Sequence, residues 1–312
     1  MYGKTLVIAN PAARSGKASG VTAAATATLE RLQNNIPGAI ETFDVRYTVG
    51  PKDATQIAAH ESESYKTVLA IGGDGLVNEV ANGLMFIPRH KRPALMLLPC
   101  GNGDDFARSI GMSRKPIEAL EIIEHQAFRM RQVDIGNVNG QWFLETVSFG
   151  LDAAIALGTE SLRKKTNRTG TSLYLQCGLD QVTNHRDVLT ATVQFDGEQP
   201  KELQFYLLAC QNGPSYGGGF LITPEAHLND GKLDICYAVP TLSAAAAVKL
   251  LMKAKKGKHT NSPNLRFKKA SRVQITLNQP AAVQVDGEAL PANHYDIQLH
   301  PGELQVLMPH RR

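Results

Sequence analysis

Residues 66–80, KTVLAIGGDGLVNEV, decide the fold of the first half of this chain. An apolar, partly β-branched run at 66–71 ends at a Gly-Gly pair, and helical spacing of apolar residues follows over 76–86. A short apolar run bounded by glycines is typical of a buried strand, and the spacing after it is typical of an amphipathic helix. The stretch therefore predicts a strand, a tight glycine turn and a helix.

The same alternation extends over the first 135 residues. Further strands are predicted at 4–9, 42–48 and 94–98, and further helices at 17–33, 54–62 and 117–124. Strands that alternate with helices form a parallel sheet covered on both faces, and its ligands bind beyond the carboxyl ends of the strands. After about residue 134, many short strands separated by turn signals predict an antiparallel sandwich or barrel with inserted helices.

Composition limits the class of protein. The chain has 312 residues, 43% of them apolar and 20% charged, with a net charge of +4. These values indicate a globular protein of about two domains, and they exclude a disordered chain and a strongly basic nucleic-acid binder. The four cysteines are far apart, so neither a zinc ribbon nor a disulfide scaffold is expected.

We expect a cytoplasmic protein that meets a membrane only from the outside. The sequence contains no apolar run of the roughly 18 residues that a membrane-spanning helix needs. Its first residues also lack the apolar region of a secretory signal.

Two glycine-rich turns are the strongest candidates for a ligand site. Residues 72–75 (GGDG) and 99–105 (PCGNGDD) each follow a predicted strand and precede a predicted helix. Glycines let a backbone approach a ligand closely, and amides at a helix N-terminus attract phosphate. Cationic side chains to balance a polyphosphate are available at Arg14, Lys17 and Arg108. The alternatives are tight turns without a ligand and, for Asp104 and Asp105, simple capping of the next helix.

The second half carries two acidic turns, at 230–234 (DGKLD) and 286–288 (DGE). Asp-Gly is a common hairpin turn, so a purely structural role is one reading of each. A carboxylate pair at 286 and 288 could instead serve as a base and a metal partner. No H-E-x-x-H, G-x-S-x-G, P-loop or G-x-G-x-x-G pattern occurs, so a kinase built on this chain would use other phosphate-binding loops.

Taken together, these motifs resemble the diacylglycerol kinase catalytic family, which includes bacterial lipid kinases and sphingosine and ceramide kinases. The matching stretches occur in family order over nearly the whole chain: 10–17, 72–80, 99–108, 217–234 and 286–288. The resemblance implies an α/β + β architecture. A three-layer nucleotide-binding domain of the NAD kinase and diacylglycerol kinase type is expected at 1–134, followed by a β-sandwich domain at 135–312, with the active site in the cleft between them.

The resemblance also implies a reaction, in which the γ-phosphoryl group of ATP passes to a lipid hydroxyl with Mg²⁺ as cofactor. The nucleotide would be held by residues on the strand-end loops and the following helix: Asn10, Lys17, Thr48, Gly72, Gly73, Asp74, Gly75, Asn78, Glu79, Gly101, Asn102 and Gly103.

The catalytic and metal-binding residues are implied in the same way. Asp286 would be the general base with Glu288 beside it, and Asp74 is a rival base. A cation would be bound by the Asp230 side chain, with backbone oxygens near two neighbouring residues, His227 and Lys232. Asp74 and Asp105 would belong to an acidic network that links metal, water and nucleotide.

Three residues depart from the family pattern. Leu76 replaces a threonine after the first glycine turn, and Asn102 and Asp104 alter the second turn. Leu76 removes a hydroxyl from the phosphate loop, and Asp104 adds negative charge where a polyphosphate would bind. These departures keep a non-catalytic nucleotide-binding regulator open as an alternative. A soluble-substrate kinase related to NAD kinase is the other alternative.

Basic clusters at 162–168, 253–258 and 266–269 suggest a lipid substrate at an anionic membrane surface, on the inner face, although ordinary solvated charge explains them equally well. No nucleic-acid partner is expected. The oligomeric state is open, with a homodimer among the options.

Overall fold

A computed structural model of the chain describes residues 2–14, 16, 18–166, 171–184 and 187–310. The described residues divide into two compact units. The first is Met1–Val133 together with Gly302–Arg312, and the second is Asp134–Pro301. Lys17, one of the predicted nucleotide-binding residues, lies outside the described residues.

The helices alternate with strands in the first unit and interrupt a largely β-structured second unit. The helices are α1 (Ala18–Asn35), α2 (Asp53–Glu61), α3 (Asp74–Leu84), α4 (Asp105–Ser109), α5 (Pro116–Glu124), α6 (Leu151–Thr166), α7 (Thr171–Asn184) and α8 (Ala244–Ala254). The strands are β1 (Gly3–Ala9), β2 (Ile40–Tyr47), β3 (Thr67–Gly72), β4 (Ala94–Pro99), β5 (Phe128–Val138), β6 (Gln141–Phe143), β7 (Thr146–Gly150), β8 (Leu189–Phe195), β9 (Lys201–Phe205), β10 (Leu207–Gln211), β11 (Leu233–Ala238), β12 (Leu265–Ala270), β13 (Arg272–Leu277), β14 (Val283–Val285), β15 (Glu288–Ala289) and β16 (His294–Pro309).

The first unit is built on a parallel sheet in the order β2-β1-β3-β4. The chain moves one way from β1 to β2 and the other way from β2 to β3, so right-handed crossovers put α1 and α2 on opposite faces. In agreement, α1 packs against α5, and α2 packs against α3. Every residue of β3 and β4 is buried, as expected for central strands covered on both faces. The predicted α/β architecture is confirmed.

The last strand differs from the sequence expectation, which placed all of 135–312 in the second domain. Residues from Gly302 onward group with the first unit. Val306 pairs in parallel with Leu95 of β4, and the largely buried guanidinium of Arg92 bonds the carbonyl and carboxylate of Glu303. Strand pairing between residues 211 positions apart leaves no local signal, which is why the sequence pattern did not indicate it.

The second unit contains two antiparallel arrays. One has the order β12-β11-β10-β7-β14-β15, and the other consists of β9, β8, β13 and the His294–Gln298 portion of β16. Their apolar faces share one core, in which the rings of Phe149 and Tyr295 meet edge to face at 5.0 Å. This is the predicted β-sandwich.

A second apolar cluster lies between α6, α7 and α8 and strands β10 to β12. All four cysteines are buried and unbridged. Within the described residues, no helix is both long and apolar enough to cross a membrane.

Candidate functional site

The two glycine turns of the first unit lie in contact. A Cβ added to Gly73 would be 3.0 Å from the Cα of Gly101, and one added to Gly101 would be 2.6 Å from the Cα of Gly73. The Cys100 N–H also bonds the Gly72 carbonyl at 2.8 Å. These contacts arise because β3 and β4 are adjacent parallel strands. Their carboxyl ends therefore bring both turns to one edge of the sheet. Any side chain at Gly73 or Gly101 would separate them.

Asp74 is the first residue of α3, and its carboxylate caps α4. Its Oδ1 accepts the N–H of Asp105 at 2.7 Å and the N–H of Phe106 at 3.3 Å. Burial, and then the negative charges of Asp105 and Asp104, raise the pKa of Asp74 to about 7, although the two N–H bonds oppose the rise. A carboxyl group with a pKa near neutrality is suited to general base catalysis.

Gly103 leaves open the space beside two carboxylates. A Cβ at Gly103 would lie 2.7 Å from Oδ2 of Asp74 and 3.2 Å from Oδ2 of Asp105. Mg²⁺ usually takes one or two protein carboxylates and completes its octahedral shell with waters and substrate phosphates. The pair therefore fits such an ion, although no group of three or more His, Cys, Asp or Glu among the described residues could hold a metal on its own.

Asp104, the departure in the second turn, folds back onto that turn. It adopts a left-handed conformation with φ of 50°, and its Oδ1 accepts the Gly101 N–H at 2.8 Å. Burial raises its pKa, while the Gly101 N–H and the charges of Arg114 and Arg14 act in the opposite direction. The carboxylate is thus used inside the turn, and positive side chains are nearby.

Arg108 and Arg114 also touch this turn. The Arg108 guanidinium donates to the Gly103 carbonyl at 3.4 Å and lies 3.6 Å from Oδ1 of Asp105. Arg114 donates to the carbonyl of Asn102 at 3.3 Å. These contacts give the acidic turn a cationic border of the kind that phosphate binding needs.

Leu76, the departure in the first turn, is buried. A Cβ at Gly72 would be 2.5 Å from the Leu76 Cδ2, so the leucine packs directly on that glycine. The substitution therefore adds a packing contact beneath the loop.

The other predicted nucleotide-binding residues have local contacts. Asn10 follows β1, and its Oδ1 accepts the Ala12 N–H at 3.0 Å. The Thr48 N–H bonds the Ala9 carbonyl at 2.9 Å, which places Thr48 at the same end of the sheet. Asn78 lies one turn into α3 and accepts hydrogen bonds from the amide of Asn82.

Glu79 has a specific structural contact. Its carboxylate accepts the N–H groups of Lys52 and Ala54 at 3.0 and 3.2 Å, so it caps α2 from the neighbouring helix. This contact accounts for a carboxylate at position 79 without a nucleotide.

In the second unit, Asp286 is surrounded by backbone donors. Its carboxylate accepts the N–H groups of Leu144, Glu145 and Thr146 at 2.6, 3.1 and 2.8 Å. Asp286 itself has φ of 44°, and Glu288 is exposed on β15. The three N–H bonds fix the orientation of the carboxylate and join it to the turn at residues 144–146.

The predicted cation ligand Asp230 forms an ion pair with a lysine. Oδ2 of Asp230 lies 2.8 Å from the Lys269 ammonium, and Oδ1 accepts the Lys232 N–H at 3.0 Å. His227 is exposed. The ammonium group already balances the Asp230 carboxylate, whereas Asp105, assigned to the same metal set, belongs to the first unit.

Sequence reasoning missed a group of buried polar residues next to the Asp286 turn. Asn212 donates to the carbonyls of Asp134 and Leu144, and Gln211 donates to the Thr146 hydroxyl. Glu145 is buried as well. A signal was present, because Gln211 and Asn212 end an otherwise apolar strand.

A second missed feature is an apolar cavity in the second unit. It lies between α6, α8 and strands β10 to β12, its interior volume is about 70 Å³, and it opens to solvent. The ionisable residues of its lining are Asp152, Cys236 and His259, and the other lining side chains are hydrocarbon. A mostly apolar cavity with few polar groups is typical of a small-molecule or lipid site.

Comparisons with known proteins match both units. A model of the diacylglycerol kinase catalytic domain matches residues 4–138, and a model of the YegS C-terminal NAD kinase beta sandwich-like domain matches residues 145–308. The diacylglycerol kinase of Bacillus subtilis (strain 168) is 30% identical over 264 residues, covering 82% of each chain.

A Cronobacter sakazakii (strain ATCC BAA-894) protein named "Probable lipid kinase YegS-like" is 31% identical over 272 residues, covering 86% of each chain. The crystal structure of a diacylglycerol kinase from Bacillus anthracis str. Sterne superposes with a TM-score of 0.74 over 98% of this chain and 97% of that one. At 23% identity, it shows that the fold is shared.

Proposed function

Because this chain belongs to the diacylglycerol kinase catalytic family, we propose that it transfers the γ-phosphoryl group of ATP to the hydroxyl group of a diacylglycerol or related lipid. The observation that carries the proposal is the contact between the two glycine turns, with a carboxyl group of pKa about 7 between them. Phosphoryl transfer depends mainly on positioning and charge neutralisation, which such loops supply.

The turns would hold the phosphates of ATP. The proposed donors are the backbone N–H groups at the start of α3 and those of Asn102 and Gly103. The space beside Gly75 is open, because nothing lies within 4 Å of a Cβ added there. Helix N-termini and glycine-rich loops attract phosphate through their N–H groups. Asn10 and Thr48, at the same edge of the sheet, complete the proposed nucleotide site.

Mg²⁺ would be held by the carboxylate of Asp105, in the space that Gly103 leaves open, with waters and the phosphates of ATP as its other ligands. The ion would neutralise charge on the transferred phosphoryl group.

We assign Asp74 as the general base in preference to Asp286. A base accepts the proton of the lipid hydroxyl while the oxygen of that hydroxyl bonds to the γ-phosphorus and ADP leaves. Burial beside two carboxylates makes Asp74 basic, whereas the carboxylate of Asp286 is engaged by three backbone N–H groups of its own unit. We assign Asp286 a positioning role, in which it orders the Leu144–Thr146 turn and the buried polar residues next to it.

The apolar cavity of the second unit would take the hydrocarbon part of the lipid. Its apolar lining suits an aliphatic chain, and α8 forms one wall through Ala247, Leu250, Leu251 and Ala254. These residues recur at helical spacing, which turns one face of α8 towards the cavity.

A basic segment next to this wall would face an anionic membrane. Lys253, Lys255, Lys256 and Lys258 are exposed and have no ion pair within the described part of the chain. Met252 is exposed beside them. In the basic cluster at 266–269, by contrast, Lys268 and Lys269 form ion pairs with acidic side chains. The side chains of the 162–168 cluster, apart from Leu162, lie outside the described residues.

The direct test is to incubate the purified protein with γ-labelled ATP, Mg²⁺ and separate vesicles that contain diacylglycerol, sphingosine or ceramide, with NAD as a soluble acceptor. We expect label in a lipid and none in NAD. Label in NAD alone would favour a soluble-substrate kinase. ATP binding by calorimetry with no labelled acceptor would favour a non-catalytic nucleotide-binding protein.

A further inference from the structure

His259 is a polar residue in the wall of an otherwise apolar cavity. It is 4% exposed and lines the cavity with side chains such as Leu251, Ala254 and Leu265. Its ring lies 6.2 Å from that of Phe267 in an edge-to-face arrangement. An apolar wall gains nothing from an imidazole, because burying a polar ring costs free energy unless both nitrogens are hydrogen-bonded.

The hydrogen bond at Nε2 of His259 defines the tautomer of the ring. Its Nε2 lies 2.9 Å from the Ile222 carbonyl oxygen, which can only accept, so Nε2 carries the hydrogen. Burial lowers the pKa of His259, which favours the neutral ring. In a neutral imidazole with hydrogen on Nε2, Nδ1 is an acceptor.

That acceptor has no partner among the residues the structure describes. Nδ1 is buried from solvent and makes no hydrogen bond there. Buried polar atoms in folded proteins are nearly always hydrogen-bonded, so an unpartnered one in a cavity wall indicates a donor that comes from the occupant.

We infer that the cavity selects a lipid whose hydrophobic part carries a hydroxyl or amide N–H, and that His259 Nδ1 accepts the hydrogen bond from that group. This inference rests on the proposed role of the cavity in lipid binding and adds a preference among lipids. Hydroxylated acyl chains and amide-linked lipids fall within the class, whereas a plain hydrocarbon chain leaves Nδ1 unsatisfied. Asp152 is another possible acceptor in the lining, so the test must report on Nδ1 itself.

The sharpest probes are two isomers of equal size, 1-decanol and 1-methoxynonane, of which only the alcohol can donate. Binding is measured by calorimetry on the full chain without nucleotide. A purely apolar cavity would bind the ether more tightly, because the ether loses less hydration. We expect the alcohol to bind about tenfold more tightly, the size of effect that one satisfied buried acceptor produces.

Two variants separate a ligand contact from a structural one. In His259→Gln the amide can still donate to the Ile222 carbonyl but offers no acceptor at the position of Nδ1. In His259→Asn the side chain reaches the position of Nδ1 but not Ile222. We expect the glutamine variant to lose the preference for the alcohol and the asparagine variant to retain it.

A measurement on the unchanged protein removes the dependence on folding of the variants. With ¹⁵N-labelled histidine, we expect the Nδ1 resonance of His259 to move on addition of 1-decanol and to stay in place on addition of 1-methoxynonane. Equal binding of both isomers with an unmoved resonance would overturn the role of His259 while leaving a chain-binding cavity. Binding of neither isomer would overturn both, whereas lipid kinase activity is scored separately with labelled ATP.

Discussion

The backbone N–H of Asp105 donates to Oδ1 of Asp74 at 2.7 Å, and a Cβ on the intervening Gly103 would come within 3.2 Å of a carboxylate oxygen of each. Asp74 thus does two things at once. It caps the short helix α4, and it keeps its second oxygen beside another carboxylate. The consequence is a buried acid with a pKa near neutrality.

The pH dependence of catalysis is expected to report Asp74. A base must be deprotonated to act, and the pKa of Asp74 is raised to about 7. Because kcat/KM reports the pKa values of the enzyme before its substrate binds, kcat/KM should rise as the pH increases through about 7. Asp74→Asn should lower kcat by about 10²- to 10⁴-fold and abolish this limb of the profile. A variant that keeps both the rate and the limb would contradict the assignment.

The same residue should make the protein less stable as the pH rises. The unfolded carboxyl loses its proton near pH 3.8, but in the folded state it keeps the proton until about pH 7. Between these values the folded state binds more protons, so the free energy of unfolding falls as the pH increases.

Asp74→Asn removes the titration while retaining an Oδ1 acceptor, so it should raise the free energy of unfolding at pH 8 by about 1 to 3 kcal/mol relative to wild type. Urea denaturation at pH 4 and pH 8 measures this effect. A variant that changes the free energy of unfolding equally at both pH values would show that the pKa of Asp74 is not raised in the folded state.

Gly103→Ala tests the open space beside the carboxylates. The new Cβ would lie 2.7 Å from Oδ2 of Asp74, so the turn must shift, and we expect Mg-ATP affinity to fall by about tenfold or more, as calorimetry would measure. Gly20→Ala on α1 is the control, since no atom lies within 4 Å of the added Cβ there. Equal nucleotide affinity for the two variants would mean that the space is not used.

Asp286→Asn tests the positioning role against the catalytic one. The carboxylate accepts three backbone N–H groups, and an amide with a single oxygen cannot replace all of them. We expect a loss of about 1 to 3 kcal/mol in the free energy of unfolding. The value of kcat should fall, but the rise of kcat/KM through about pH 7 should be unchanged. Loss of that limb with unaltered stability would instead identify Asp286 as the base.

Membrane association is expected to depend on the lysines after α8. Replacing Lys255 and Lys256 by glutamine should weaken binding to vesicles that contain 30% phosphatidylglycerol by roughly 30-fold, from about 1 kcal/mol per lysine. The control replaces Lys91 and Lys115, which are equally exposed but paired with Glu63 and Glu118. Sedimentation with vesicles measures both, and an equal effect of the two pairs would indicate net charge rather than a surface.

Local features were predictable because they depend on neighbours in sequence. The strand ending at Gly72, the glycine turn and the helix from Asp74 are all where the pattern 66–80 indicates. Parallel order then brings the second turn to the same edge of the sheet, which is why the contact between Gly73 and Gly101 could be anticipated.

The roles of single carboxylates were less predictable. Asp286, Glu79 and Asp230 stand in motifs that look alike in sequence, as acidic residues beside turns or helices. Their partners are backbone N–H groups of a distant turn, the start of another helix and the Lys269 ammonium. Each partner lies far along the chain from its carboxylate, so the sequence near that carboxylate does not reveal it.

By itself, the sequence determined the α/β order, the two glycine turns and the change to β-structure near residue 134, because strand and helix periodicity and glycine conformation are short-range properties. Only the tertiary structure decided which carboxylate is basic, where the apolar cavity lies and why His259 matters. Burial, charge proximity and unsatisfied hydrogen bonds arise between residues that the fold brings together, and no spacing along the chain encodes them.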